Sequence, residues 1–242
     1  VILVDDQFAP LHDKILAAVR AIRPEPIRFV LNTHWHGDHV GGNEALSGLG
    51  AVVVAHENVR ERMSTEQFNA FFERKTPPSP VGALPVVTFG EDVTFHFNGE
   101  EIHVLHVPKA HTDGDVFVHF RKSDVLHLGD VYFASGYPFI DRSSGGSLAG
   151  LIAAVDRALE IAGARTRIIP GHGALSDEPG LTEYRAMLRT VRDRVKAAQA
   201  AGKTVETLIA EQPLADLDAR WGGGFIDAPT LLRIVYPSLA GS

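Results

Sequence analysis

The sequence predicts a layered α/β fold, on three observations. Short apolar runs alternate with segments of helical spacing early in the chain, strand-like segments with hairpin turn signals follow, and a strand with several helical segments closes it. No linker, low-complexity stretch or repeat divides these blocks. One domain of packed sheet and helix layers over residues 1–242 accounts for them, and that length suffices for a substantial core.

Residues 1–4, Val-Ile-Leu-Val, read as a buried strand. Leu11, Ile15, Leu16, Val19 and Ile22 have the spacing of one helix face, and Pro24 and Pro26 end that helix. Residues 27–31 form a second buried strand that runs into Asn32-Thr33-His34. Gly41-Gly42-Asn43 leads to a short helix and a third strand over 51–55.

Residues 57–84 are a polar helical half with Met63, Phe68, Phe71 and Phe72, then the proline-rich Thr76-Pro77-Pro78-Ser79-Pro80. A lid beside a site and a packed surface excursion both fit this stretch. From Val86 the chain turns to β. Segments 93–97 and 102–107 flank the hairpin signal Asn98-Gly99, and 116–120 with 125–128 suggest another hairpin. An amphipathic helix over 148–162 precedes a buried strand at 167–169. The part from about 181 is helical, over 181–201, 204–211 and 229–235.

Composition bounds the function. The net charge of −7 disfavours a nucleic acid partner, and the basic stretch 185–196 has the spacing of a solvated helix face. With no cysteine, disulfides and thiolate metal ligands are ruled out. No apolar run approaches the roughly 18 residues of a membrane helix. The chain begins without methionine in an apolar run, as expected of a mature protein or a fragment lacking its first strand or strands; periplasm and cytoplasm both remain open.

The chemistry concentrates in Thr33-His34-Trp35-His36-Gly37-Asp38-His39, just after a predicted strand. Three imidazoles and a carboxylate this close would desolvate one another without a cation between them, and both donor types suit zinc and iron. Three later segments each place one further ligand type in a glycine-containing turn after a strand: His111 to Asp115, Gly129-Asp130 and Pro170-Gly171-His172-Gly173.

In this order, H-x-H-x-D-H, a lone His, Gly-Asp and Gly-His, the chain resembles the metallo-β-lactamase superfamily from Val1 to about His172. The resemblance implies a four-layer αββα sandwich with two zinc ions at one edge of the sheets, iron or manganese being alternatives. It implies His34, His36 and His111 on one metal, Asp38, His39 and His172 on the other, and Asp130 bridging both. Asp38 would also be catalytic, orienting the nucleophile and relaying a proton, and Asp5 would support the ligand loop. The implied reaction is attack of a metal-activated hydroxide on an amide or ester carbonyl of a small molecule. Asp130 stands where one lactamase subclass has cysteine, and the site looks more like those of glyoxalase II and general hydrolases of the superfamily. β-Lactamase-like hydrolysis leads, with a lactonase or thioesterase close behind. An iron-dependent oxidoreductase of the sulfur dioxygenase type is the reading from another class. No substrate-binding residue and no oligomeric state follow from the sequence. Asp113 and Asp115 fit either turn caps or orienting groups, and Trp35 and Tyr137 fit either a pocket wall or packing. His56, His96, His103, His106, His119 and His127 lie in or beside strands and read as structural.

Overall fold

The computed structural model describes residues 1–239; positions 240–242 lie outside the described residues. The chain divides into two compact units, Val1–His106 with Gly114–Val118, and Val107–Asp113 with residues 119 onward.

The first unit runs β1 (Ile2–Val4), α1 (His12–Ile22), β2 (Phe29–Leu31), α2 (Gly37–Val40), α3 (Asn43–Gly48), β3 (Val52–His56), α4 (Glu57–Ser64), β4 (Gln67–Asn69), β5 (Arg74–Thr76), β6 (Val87–Phe89), β7 (Asp92–Phe97) and β8 (Glu100–His106). β1, β2, β3 and β6 form a parallel sheet in that order. The inner strands β2 and β3 carry unbroken apolar runs because a parallel strand is covered on both faces. Val30, Val53, Ile27, Leu46 and Ala51 make one buried cluster, against which Leu16 and Val19 of α1 pack. Val40, Ala55, Val59, Met63, Ala83 and Leu84 make another, with Trp35 against it. β1 is only partly buried because it is the edge strand of this order. β7 and β8 form the expected antiparallel hairpin, and Asn98 and Gly99 both take positive φ, at 54° and 75°. That backbone matches the twist of a tight hairpin.

The helical reading of the stretch that holds Phe68, Phe71 and Phe72 is corrected. α4 stops at Ser64, and β4 pairs antiparallel with β5, Gln67 opposite Thr76. The cause is local: the Asn69 side chain accepts hydrogen bonds from the backbone N–H groups of Phe71 and Phe72, both at 3.0 Å. Such a turn offers the backbone an alternative to the helix. Phe68, Phe71 and Phe72 are consequently exposed.

β9 (Val116–Phe120) is shared, residues 116–118 belonging to the first unit and 119–120 to the second. The second unit continues with β10 (Val125–His127), α5 (Leu148–Ile161), β11 (Arg167–Ile169), α6 (Glu178–Ala200), α7 (Val205–Ala210), α8 (Ala215–Trp221) and α9 (Ala228–Leu239). β10 and β11 pair in parallel. Ser147 caps α5 through Gly150 N–H, and Asp177 caps α6 through Gly180 N–H. The buried stripe Leu181, Tyr184, Leu188, Val191 and Val195 of α6 follows helical spacing. Its outer face carries the basic stretch, engaged in ion pairs: Arg189 holds both oxygens of Asp156 at 2.9 Å, and Arg194 holds Asp216 at 2.5 and 2.8 Å. α8 was not expected from the sequence. Among the described residues no helix is long and apolar enough to cross a membrane.

Candidate functional site

In the first unit the ligand-type residues sit on the connection from β2 to α2. His34 and Trp35 lie in a bend after the strand, His36 is extended and precedes the first turn of α2, and Asp38 and His39 lie within that turn. Asp5, at the end of β1, is the hub of this connection. Its Oδ1 accepts from Thr33 N–H at 2.7 Å, and its Oδ2 accepts from Thr33 Oγ1 and from His39 Nδ1, both at 2.7 Å. Asp5 reaches this position with φ at 57°, the left-handed region that aspartate tolerates better than most residues.

These contacts fix tautomers. A carboxylate only accepts, so His39 carries its proton on Nδ1. Thr33 Oγ1 gives its proton to Asp5 and therefore accepts from His34 Nδ1, 3.1 Å away. In the neutral rings, Nε2 of His34 and Nε2 of His39 then present lone pairs. The lone pair of His34 lies 3.2 Å from His36 Nδ1, and that of His39 lies 3.5 Å from Asp38 Oδ2. Behind the connection, Asn32 and Asn43 exchange side-chain hydrogen bonds at 3.1 and 2.9 Å, and Asn32 also donates to the His39 carbonyl.

Asp6 follows Asp5 but faces inward. It is 1% exposed, its Oδ1 accepts from Gly42 N–H at 2.8 Å, and its Oδ2 has no hydrogen-bond partner. Burial pushes its pKa up to about 7, against the lowering effect of the Gly42 hydrogen bond.

In the second unit, His111, Asp130 and His172 converge. His111 is fully buried and donates from Nδ1 to the Phe139 carbonyl at 2.8 Å, which again leaves the lone pair on Nε2. That nitrogen lies 3.6 Å from Asp130 Oδ2, and His172 Nε2 lies 3.3 Å from the same oxygen. Close packing against glycine makes this possible: a Cβ on Gly171 would fall 2.0 Å from Asp130 Oδ1, and one on Gly146 would fall 2.2 Å from the His111 carbonyl.

The same pattern thus occurs in both units, an imidazole lone pair fixed by its own N–H partner and turned toward a carboxylate oxygen. That arrangement is repulsive until a cation, a proton or a metal ion, stands between. Rings in which every site was protonated would repel one another, whereas a divalent ion satisfies lone pairs and carboxylates together. The donor set fits zinc.

The remaining candidates sort by what they touch. His56 is buried and structural: its Nδ1 accepts from Asn58 N–H at the start of α4, its Nε2 donates to the Gly90 carbonyl, and its ring stacks on His106 at 3.7 Å. His103 pairs with Asp92 at 2.8 Å, and His127 accepts from Gly129 N–H. Tyr137 is a core residue whose hydroxyl donates to Asp218 at 2.9 Å; burial raises its pKa. Asp115 is buried, and Asp113 donates its N–H to the Ser144 carbonyl. Sequence reasoning assigned no role to Thr33, to the Phe139 carbonyl or to Phe133. A backbone carbonyl leaves no trace in residue identity; Thr33 was legible only as part of the motif.

Residues 5–173 match the family model of the metallo-beta-lactamase superfamily. A hydroxyacylglutathione hydrolase of Methylococcus capsulatus is 31% identical over 76% of this chain, and the chain spans 64% of that relative, under two thirds of its length. A hydroxyacylglutathione hydrolase of a Synechococcus strain is 26% identical, over 94% of this chain and 89% of the relative. Among solved structures, the BLEG-1 B3 metallo-beta-lactamase superposes with a TM-score of 0.62 at 23% identity, covering 75% of this chain and 87% of that one. At that identity the likeness shows the fold, an α/β sandwich of the αββα type.

Proposed function

Because the chain belongs to the metallo-beta-lactamase superfamily, we propose that it is a metal-dependent hydrolase with two zinc ions, acting on acyl compounds of small molecules, thioesters first among them. In this reading His34, His36, His111 and Asp130 would hold one ion and Asp38, His39 and His172 would hold the other, with Asp130 shared between them as the resemblance implies.

The observation that carries the reading is the repeated pairing of a fixed imidazole lone pair with a carboxylate, at His39 with Asp38 and at His111 with Asp130. Zinc bound there would polarise a carbonyl and make water nucleophilic at neutral pH. The protein's own groups do the rest. Asp5, Thr33 and the Phe139 carbonyl hold three imidazoles in the tautomer that ligates. The Asp38 carboxylate, partly exposed in the first turn of α2, takes the proton released by the attacking water and passes it to the leaving group.

Thioesters lead because curated relatives along most of the chain are hydroxyacylglutathione hydrolases. The test is metal analysis with hydrolysis of an acyl-glutathione thioester, a lactone and a chromogenic β-lactam. About two zinc per chain and fastest turnover of the thioester are expected. Preference for the β-lactam would replace the substrate but keep the hydrolase. One iron per chain, with oxygen uptake and no hydrolysis, would replace the hydrolase with an oxidoreductase.

A further inference from the structure

The imidazoles of the second unit differ in how they are held. His111 is fully buried and anchored through Nδ1 to a carbonyl. The His172 side chain is 42% exposed. Its backbone is clamped by the segment after Asp130: Ala134 N–H donates to the His172 carbonyl at 2.9 Å, and Phe133 bridges to it in parallel. Its ring lies nearly flat against the Phe133 ring, with centroids 5.1 Å apart and planes 22° from parallel. Phe133 is itself 8% exposed and also meets the His111 ring, at 6.3 Å and 58°. An exposed imidazole free to turn about its χ angles would lose rotamer entropy on ligation. A flat aromatic neighbour removes that freedom in advance and keeps Nε2 directed at Asp130.

We propose that Phe133 is a positioning residue for His172: its face presets the imidazole plane and thereby sets the affinity of the metal that His172 ligates. The proposal rests on the two-metal reading above. Partners of this kind tune metal affinity by about 10–100-fold.

The experiment compares wild type, Phe133→Leu and Phe133→Tyr, each stripped with chelator and titrated with Co2+ by visible absorption and with Zn2+ against a chromophoric chelator. Thermal melting of the stripped proteins runs alongside. Phe133→Leu should bind the first equivalent as wild type does and the second about 10–100-fold more weakly, with an altered Co2+ spectrum for that equivalent. Phe133→Tyr, which keeps the ring, should restore both. Unchanged second-equivalent affinity in Phe133→Leu overturns the proposal. So does equal loss of both equivalents, which would mark a general packing defect. A wild-type protein that takes up fewer than two equivalents overturns the two-metal reading itself, and the proposal with it.

Discussion

Asp5 and His39 lie 34 residues apart in sequence and are joined by a 2.7 Å hydrogen bond from His39 Nδ1 to Asp5 Oδ2. The same carboxylate takes two further bonds from Thr33, so one side chain sets the backbone of the ligand connection, the hydroxyl relay to His34 and the tautomer of His39. Asp5→Asn offers one acceptor oxygen where three donors converge; its amide either meets a donor or makes Thr33 Oγ1 and His39 Nδ1 accept, which moves the His39 proton onto Nε2 and removes the lone pair that ligates. Metal affinity should fall about 10–100-fold. The stripped protein should lose on the order of 1–3 kcal/mol of stability. Zinc competition and denaturant unfolding of the metal-free protein check both; wild-type zinc affinity would refute the role.

Asp38 is the group assigned to proton transfer. Asp38→Ala should lower turnover by at least about 10²–10⁴-fold, because the carboxylate is lost both from the proton path and from the ligand set, while the neighbouring buried cluster of Val40, Ala55 and Val59 remains. Steady-state kinetics on the best substrate, with melting as the fold control, test this. Near-normal turnover would remove Asp38 from the mechanism.

How much of this was legible in the sequence depends on the range of each interaction. The ligand types and their order are visible because three imidazoles and a carboxylate within six positions have no easy structural explanation. β2, β3 and the helix over 178–200 are visible because their apolar periodicity is local. The β4–β5 hairpin was hidden because Asn69, one polar side chain, decides it by capping two N–H groups. The family resemblance singled out Asp5 as the supporting carboxylate, but the environment of its neighbour was hidden: Asp5 meets three donors, while Asp6 buries an oxygen without a hydrogen-bond partner.

Asp6 gives a pH prediction. Its carboxyl has an ordinary value of 3.8 and is raised to about 7 in the folded protein, mainly by burial. Between these values the folded state binds a proton that the unfolded state has released, so stability falls as pH rises from about 4 to about 7 and is level above that. Asp6→Asn keeps the acceptor for Gly42 and removes the ionisation. In chelator, its stability relative to wild type should grow across that window, reaching the order of a few kcal/mol above pH 7. Urea unfolding at pH 4.5, 6 and 8 measures it. A constant difference across the three would mean that Asp6 does not titrate there.

Gly171 tests the packing that holds Asp130. Its N–H donates to the Gly129 carbonyl at 2.7 Å, so the two glycine turns that follow β10 and β11 lie directly against each other. A methyl group at Gly171 would sit 2.0 Å from Asp130 Oδ1, 2.7 Å from the Gly129 carbonyl carbon and 2.8 Å from Asp130 N. Two of these three atoms are backbone and cannot step aside as a side chain would. Gly171→Ala must therefore part the turns or turn the Asp130 carboxylate away from His111 and His172. Overpacking of this kind costs about 1–3 kcal/mol, and both metal equivalents should weaken because Asp130 is the ligand they share. Gly48→Ala is the contrast: nothing lies within 4 Å of its added carbon at the end of α3, so stability should hold or rise by up to about 1 kcal/mol. Melting and zinc titration of the two variants decide the matter. A Gly171→Ala protein with both zinc equivalents at wild-type affinity would show that Asp130 is held by something other than this contact.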